Sequence, residues 1–245
     1  MKFLPLLVFL PLFAIAQNPY QALTTTVGIS GSIEGLAENN LKDFGTGVSA
    51  VDFTGDGLDD IVLATGENLP MRFFQNNGDG TFQEIDNFIL NSIRFQKMVL
   101  FGDIDNDGDP DLFVTSWDKS ERLYRNDGNL VFKDITNAAG IKQNFEETDG
   151  ASFGDVNNDG LLDLYVCNRT KENVGNYLYI NQGNNTFSEE AVARGVSDDT
   201  QLSFQSIFFD YDNDGDQDLY VVNDRDYANA LFQNDGTGYF TDVSI

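Results

Sequence analysis

The stretch Asp103-Ile104-Asp105-Asn106-Asp107-Gly108-Asp109-Pro110-Asp111-Leu112 sets an oxygen-bearing side chain at its first, third, fifth and ninth positions. Three other stretches repeat the pattern: DFTGDGLDDI from Asp52, DVNNDGLLDL from Asp155 and DYDNDGDQDL from Asp210. Successive copies start 51, 52 and 55 residues apart. A second landmark follows each of them: FFQNNGDGTFQEI, LYRNDGNLVFKDI, LYINQGNNTFSEE and LFQNDGTGYFTDV. Two landmarks in one order, four times over, define a repeat protein.

Each unit reads as four short strands. One runs into the Asp-rich loop (GVSAVDF, MVLFGDI, GASFGDV, SIFFDYD) and one leaves it (DIVLAT, DLFVTS, DLYVCN, DLYVVN), rich in the β-branched and aromatic residues that strands favour. The third carries Phe74, Tyr124, Tyr179 or Phe232 before an Asn-x-Gly turn. The fourth starts at Phe82, Phe132, Phe187 or Phe240. Asn and Gly supply the positive φ of a tight hairpin, so these turns read as structural. Four strands per unit with no helical period predict an all-β fold of β-propeller blades. A blade has two apolar faces and is stable only when stacked on neighbours, and the 21 Phe supply the bulk for that stacking. The approximate units are 46–97, 98–149, 150–204 and 205–245, within one domain spanning 17–245. The segment Thr24–Ile29 resembles the DITNAAGI that follows the fourth strand of unit two, which suits a closing strand.

The loops have the chemistry of a hard-cation site. A tight loop turns alternate side chains inward, and calcium takes six to eight oxygens. Position 6 is Gly in all four units, where the chain reverses sharply. The side chain at position 7 varies, so its backbone carbonyl is the expected ligand there. The predicted ligands are Asp52, Thr54, Asp56, Leu58 and Asp60 in unit one, and Asp103, Asp105, Asp107, Asp109 and Asp111 in unit two. Unit three offers Asp155, Asn157, Asp159, Leu161 and Asp163, and unit four Asp210, Asp212, Asp214, Asp216 and Asp218. About four Ca2+ sites are expected. Without a cation, carboxylates packed this closely repel one another. Unlike an EF-hand loop, these lack Glu at position 12 and lie between strands. Magnesium prefers stricter octahedral geometry and more water. By carboxylate count, units two and four fill first and unit one last.

These loops, with FGDVNNDG and DYDNDGDQDLYVVN, resemble the FG-GAP/VCBS repeats of integrin α-chain propellers and of many exported bacterial proteins. The added N-x-G-x-x-x-F-x-[DE]-[IV] element, with AAGI in unit two, is similar to the cartilage acidic protein-like (ASPIC/UnbV) branch. The resemblance covers about residues 24–245 and implies a calcium-bearing propeller, usually seven-bladed. Four units are then part of a longer propeller, and the C-terminal ASPIC/UnbV region and later repeats of that branch are missing here. The resemblance also implies an adhesion or binding role.

Composition narrows the function. The chain has 245 residues, 14 Lys plus Arg against 40 Asp plus Glu, and a net charge of −26. Nucleic acid and anionic membrane surfaces would repel it, while 13% aromatic content sets it apart from a disordered acidic tail. With no His and one Cys, the chain lacks His-based catalysis, an internal disulfide and a zinc or copper ligand set. Residues 1–16 read as a secretory signal: Lys2, an apolar run from Phe3 to Ile15, and an Ala14-Ile15-Ala16 cleavage site. The run is too short and Pro-broken for a membrane span. The protein is therefore expected outside the cell, or in the periplasm or at the surface of a bacterium.

The leading function is a secreted calcium-binding module for an extracellular protein or glycan, and not an enzyme. The alternative is a carboxylate-dependent carbohydrate-active enzyme, a glycoside hydrolase or polysaccharide lyase, for which two carboxylates suffice. Its candidate acids are those outside the repeat pattern: Glu146, Glu147 and Asp149, or Asp224 and Asp226, otherwise read as solvated surface. Trp117, Asp118 and Lys119 form the least repetitive polar-aromatic cluster, read as a loop tip packed on its neighbour or as a ligand site. Cys167 reads as an inert core residue, and Asn168-Arg169-Thr170 and Asn184-Asn185-Thr186 are glycosylation sequons in a eukaryotic source.

Overall fold

The computed structural model describes residues 27–29, 47–65, 70–85, 96–117, 121–143, 147–169, 174–198 and 201–244. The predicted signal segment and Thr24 to Thr26 lie outside the described residues. Among the described residues, sixteen strands form four antiparallel sheets, each a meander of four consecutive strands. Blade one comprises β1 (Val48–Val51), β2 (Asp60–Leu63), β3 (Arg72–Asn76) and β4 (Phe82–Glu84). Blade two comprises β5 (Gln96–Gly102), β6 (Asp111–Ser116), β7 (Arg122–Asn126) and β8 (Phe132–Asp134). Blade three comprises β9 (Thr148–Gly154), β10 (Asp163–Asn168), β11 (Tyr177–Asn181) and β12 (Phe187–Glu189). Blade four comprises β13 (Ser203–Phe209), β14 (Asp218–Asn223), β15 (Ala230–Asn234) and β16 (Phe240–Asp242). The Asp loops join the first and second strands, and the Asn-x-Gly turns join the third and fourth.

The core lies between blades, because strand side chains alternate between faces. On β6, Leu112 and Val114 enter a cluster with Phe53, Val62 and Phe73 of blade one. Phe113, between them, enters the next cluster with Leu164, Val166 and Tyr179 of blade three. Tyr165 and Cys167 of β10 continue the pattern against Leu219, Val221 and Phe232 of blade four. Each interior sheet is thus apolar on both faces, which explains why no single repeat holds a core of its own.

One element departs from the sequence reading. A four-residue helix, α1 (Ala191–Arg194), follows blade three and ends on Gly195 in the left-handed region. It is the counterpart of the turn written Ala139-Gly140-Ile141 after blade two, with the same backbone hydrogen-bond pattern. The two turns do the same work. Ala139 O accepts from Phe187 N at 2.8 Å, and a side chain on Gly140 or Gly195 would strike the carbonyl of Phe187 or Phe240 in the next blade. Glycine is required at both, by positive φ and by close approach. Val27-Gly28-Ile29 repeats this docking on blade one: Val27 O accepts from Phe82 N at 2.7 Å and Gly28 abuts the Phe82 carbonyl. The described end of the Thr24–Ile29 segment therefore sits on blade one as a trailing turn sits on the blade that follows it.

Candidate metal centre

Each Asp loop is organised by its own carboxylates. The Asp at position 1 accepts backbone N–H groups from positions 5 and 6: Asp103 from Asp107 and Gly108, Asp155 from Asp159 and Gly160, Asp210 from Asp214 and Gly215. Asp52 does the same with Asp56 and Gly57 and adds Gly55. The Asp at position 5 accepts the N–H of position 7 in all four loops, at 2.9–3.0 Å. Position 4 is left-handed throughout, as Gly55, Asn106, Asn158 and Asn213. Asn tolerates that conformation better than most residues.

The Asp at position 9 is the hub. Asp60, Asp111, Asp163 and Asp218 are all fully buried. One oxygen of each accepts an N–H at the loop entry, from Thr54, Ile104, Val156 or Tyr211. The other accepts the N–H of the third-strand Asn, at 2.7–2.8 Å from Asn76, Asn126, Asn181 or Asn234. Blade one differs, since its entry donor is position 3 and the donor elsewhere is position 2. Burial pushes the Asp111 carboxyl up to about 7 and that of Asp163 up to about 6, against the pull of these N–H donors. Asp60 is raised for the same reason.

The third-strand Asn, a turn residue in the sequence pattern, joins the two landmarks. Its Oδ1 accepts the N–H of Gly78, Gly128, Gly183 or Gly236. Its Nδ2 donates to the carbonyl at position 8. Asn181 and Asn234 also donate to Ile104 O and Val156 O of the preceding blade, both at 2.8 Å. The signal was the fixed order of loop and turn in every unit.

Two loops bring three carboxylates together. Asp103, Asp105 and Asp111 each offer an oxygen within 4.8 Å of the others, and so do Asp210, Asp212 and Asp218. In the other two loops position 3 is Thr54 or Asn157, so no third carboxylate stands there. Asp105 Oδ1 is buried without a hydrogen-bond partner. A carboxylate oxygen shut away from water and from donors is costly unless a cation meets it. An all-oxygen donor set with such an orphan fits a hard divalent ion.

A second constellation lies at the opposite end of the blades. Trp117, Arg169 and Asp224 occupy one repeat position in three successive blades, six residues after Asp111, Asp163 and Asp218. Lys97 and Asp149 share another, six residues before Asp103 and Asp155. Trp117 Nε1 donates to Asp149 Oδ1 at 2.6 Å, and Lys97 Nζ sits 4.3 Å above the indole. Arg169 lies 3.6 Å from Asp149 Oδ2 and donates to Asp224. Asp149 is therefore buried, partnered by Trp117 of the preceding blade and Arg169 of its own, and is not the solvated surface acid that the sequence predicts. Glu147 and Asp226 are exposed, while Asp118, Lys119 and Glu146 lie outside the described residues. Cys167 is fully buried and its thiol is pushed up to about 12 by burial. Asn168 is buried, donating to Gly175 O and accepting from Thr148, so the first sequon is closed in the fold. Asn184 of the second is exposed.

A repeat of four-stranded blades with an Asp loop after each first strand defines a class, and the sequence comparisons agree with it. The chain belongs to the FG-GAP-like repeat family, whose model matches residues 52–114, 103–166 and 155–221. Cartilage acidic protein 1 of Mus musculus is 30% identical over 114 residues, 46% of this chain and 17% of that protein's length. Among solved structures, a lectin of Agrocybe aegerita, described as recognising non-reducing terminal N-acetylglucosamine, is similar with a TM-score of 0.49. It is 23% identical, over 80% of this chain and 51% of the lectin. The V. cholerae biofilm matrix protein Bap1 is similar with a TM-score of 0.40 at 18% identity, over 71% of this chain and 23% of that one. No helix among the described residues is long and apolar enough to cross a membrane.

Proposed function

We propose that this chain is an exported, calcium-braced β-propeller module that binds an extracellular protein or glycan and is not an enzyme. One observation carries the calcium reading: Asp105 Oδ1, buried and unpartnered, within a three-carboxylate cluster that recurs in blade four. Calcium at such a loop neutralises the converging charges and ties the loop to the start of the second strand. Asp103, Asp105 and Asp111, or Asp210, Asp212 and Asp218, would hold it, with Asp107 and Asp214 beside them. Export rests on the signal read in residues 1–16. The non-enzymatic reading is supported by the pairing of two of the out-of-pattern acids. Asp149 faces Trp117 and Arg169, and Asp224 faces Arg169, so neither is poised as a free acid or base.

At about 1–2 mM free calcium and site constants of about 0.1–1 mM, each site contributes roughly 0.4–1.8 kcal/mol. The melting temperature of the protein is expected to rise on going from EGTA to millimolar calcium, and to rise less in Asp105→Asn and Asp212→Asn. A melting curve that calcium leaves unmoved would overturn the metal reading. A glycan array and an extracellular-protein panel, each with and without calcium, test the binding role.

A further inference from the structure

Blades two and four carry the same carboxylates at positions 1, 3, 5, 7 and 9, and by that count their loops are equals. They differ in the cations beside them, the nearer of which is on the third strand. The residue before the third-strand Asn is Gln75, Arg125, Ile180 and Gln233 in blades one to four. Gln75 Nε2 donates to Asp56 Oδ2 at 3.2 Å, and Gln233 Nε2 donates to Asp212 Oδ2 at 2.7 Å. This position therefore reaches the loop carboxylates from the neighbouring strand. Ile180 is buried in the core between blades three and four and brings no polar group to its loop.

In blade two the position holds a guanidinium. Arg125 Nε donates to Asp127 at 2.5 Å, at the turn where blade four has Asp235. The charge of Arg125 is stabilised first by Asp127 and then also by Asp105 and Asp111, two members of the carboxylate cluster. Around blade four, Gln233 with Asp235 sums to one negative charge. Around blade two, Arg125 with Asp127 sums to none, and Lys133, opposite Arg125 on β8 where blade four has Thr241, adds a further positive charge. A cation held beside the loop repels a second cation arriving in it, and it offsets the field that would draw that ion in.

We propose that Arg125 weakens the calcium affinity of the blade-two loop, so that this third-strand position, and not carboxylate count alone, sets the order in which the loops fill. The inference rests on the calcium reading above. It places blade four first and blade two behind it. A neutral Gln at position 125 removes this cation and leaves Lys133, opposite it on β8, in place.

The loop glycines Gly57, Gly108, Gly160 and Gly215 report each site separately through their amide resonances. Calcium titrations of the parent, Arg125→Gln and Gln233→Arg, followed by heteronuclear NMR, read the four midpoints independently. Arg125→Gln is expected to lower the Gly108 midpoint about threefold at low ionic strength and leave the other three in place. Gln233→Arg is expected to raise the Gly215 midpoint by a similar factor. Both effects shrink at about 0.5 M salt, where the screening length falls well below 8 Å. A Gly108 midpoint unmoved by Arg125→Gln, or four midpoints moving together, overturns the role of Arg125 while leaving calcium binding intact. Glycine signals that ignore calcium in the parent overturn both.

Discussion

Asp111 shows how one side chain serves two masters. Both of its oxygens are spent on backbone donors, Ile104 N at 2.9 Å and Asn126 N at 2.7 Å, and the group is wholly enclosed. Burial disfavours its charge, and the charges of Asp105 and Asp107 add to that. Its folded pKa, about 7, lies above the ordinary 3.8. The sign follows: the fold prefers the protonated form, so this contribution is complete below about pH 4 and is lost as pH rises toward 7. Asp163, at about 6, acts in the same direction over a lower range. The calcium-free protein is therefore expected to melt at a lower temperature at pH 8 than at pH 5, by a stability difference on the order of a few kcal/mol. On the proposed calcium reading, the ion supplies positive charge and competes with the proton, so the metal-loaded protein should lose this slope. Melting curves across that pH range in EGTA and in calcium decide it. A calcium-free protein that gains stability toward pH 8 would show that these carboxyls are ionised at no cost. The place of Asp111 in the loop pattern was legible in the sequence. Its enclosure was not, because Asn126 lies 15 residues further along the chain.

At the scale of the element, the strands were legible because two landmarks bracket them. Phe82, Phe132, Phe187 and Phe240 start their strands as the Asn-x-Gly turns require. What joins the strands across blades was hidden. Asn181 reaches Ile104 O across 77 residues of sequence, and Trp117 reaches Asp149 across 32. No local pattern encodes such a pair; only the stacking of blades creates it. The short helix α1 escaped for the opposite reason, since four residues are too few to show a period. The bonds of Asn181 carry a measurable consequence. Asn181→Ala removes two Nδ2 bonds, to Ile104 O and Leu162 O, and the acceptor for Gly183 N, leaving buried groups unpaired. The expected cost is about 2–4 kcal/mol. Asn76→Ala removes the bonds to Asp59 O and Gly78 N, both exposed, and reaches no preceding blade. About 1 kcal/mol is expected there. Urea unfolding of the two variants compares them directly. Equal losses would show that the inter-blade carbonyl adds nothing.

Across the whole molecule, the rule of alternate faces meets a limit at blade four. Interior blades give one set of strand residues to the blade before and the other to the blade after. In blade four the second set has no cover among the described residues. Tyr211 is 37% exposed where its counterparts Ile104 and Val156 are at most 1%, and Ile207 and Phe209 are 56% and 40% exposed. Tyr220 is half-buried where Phe113 and Tyr165 are fully enclosed. A run of exposed apolar side chains on one sheet face, at positions that are enclosed in the interior blades, marks a surface suited to being covered. A soluble preparation of this chain should therefore self-associate through blade four. Sedimentation velocity is expected to show a weight-average mass that climbs with concentration. The double variant Ile207→Lys with Tyr211→Ser should flatten that climb and leave the melting temperature close to the parent's, because neither side chain enters a described core cluster. Retention of association in the double variant would move the contact elsewhere on the molecule. A parent that sediments as a single monomeric species at every concentration would mean that this face is covered within the chain itself.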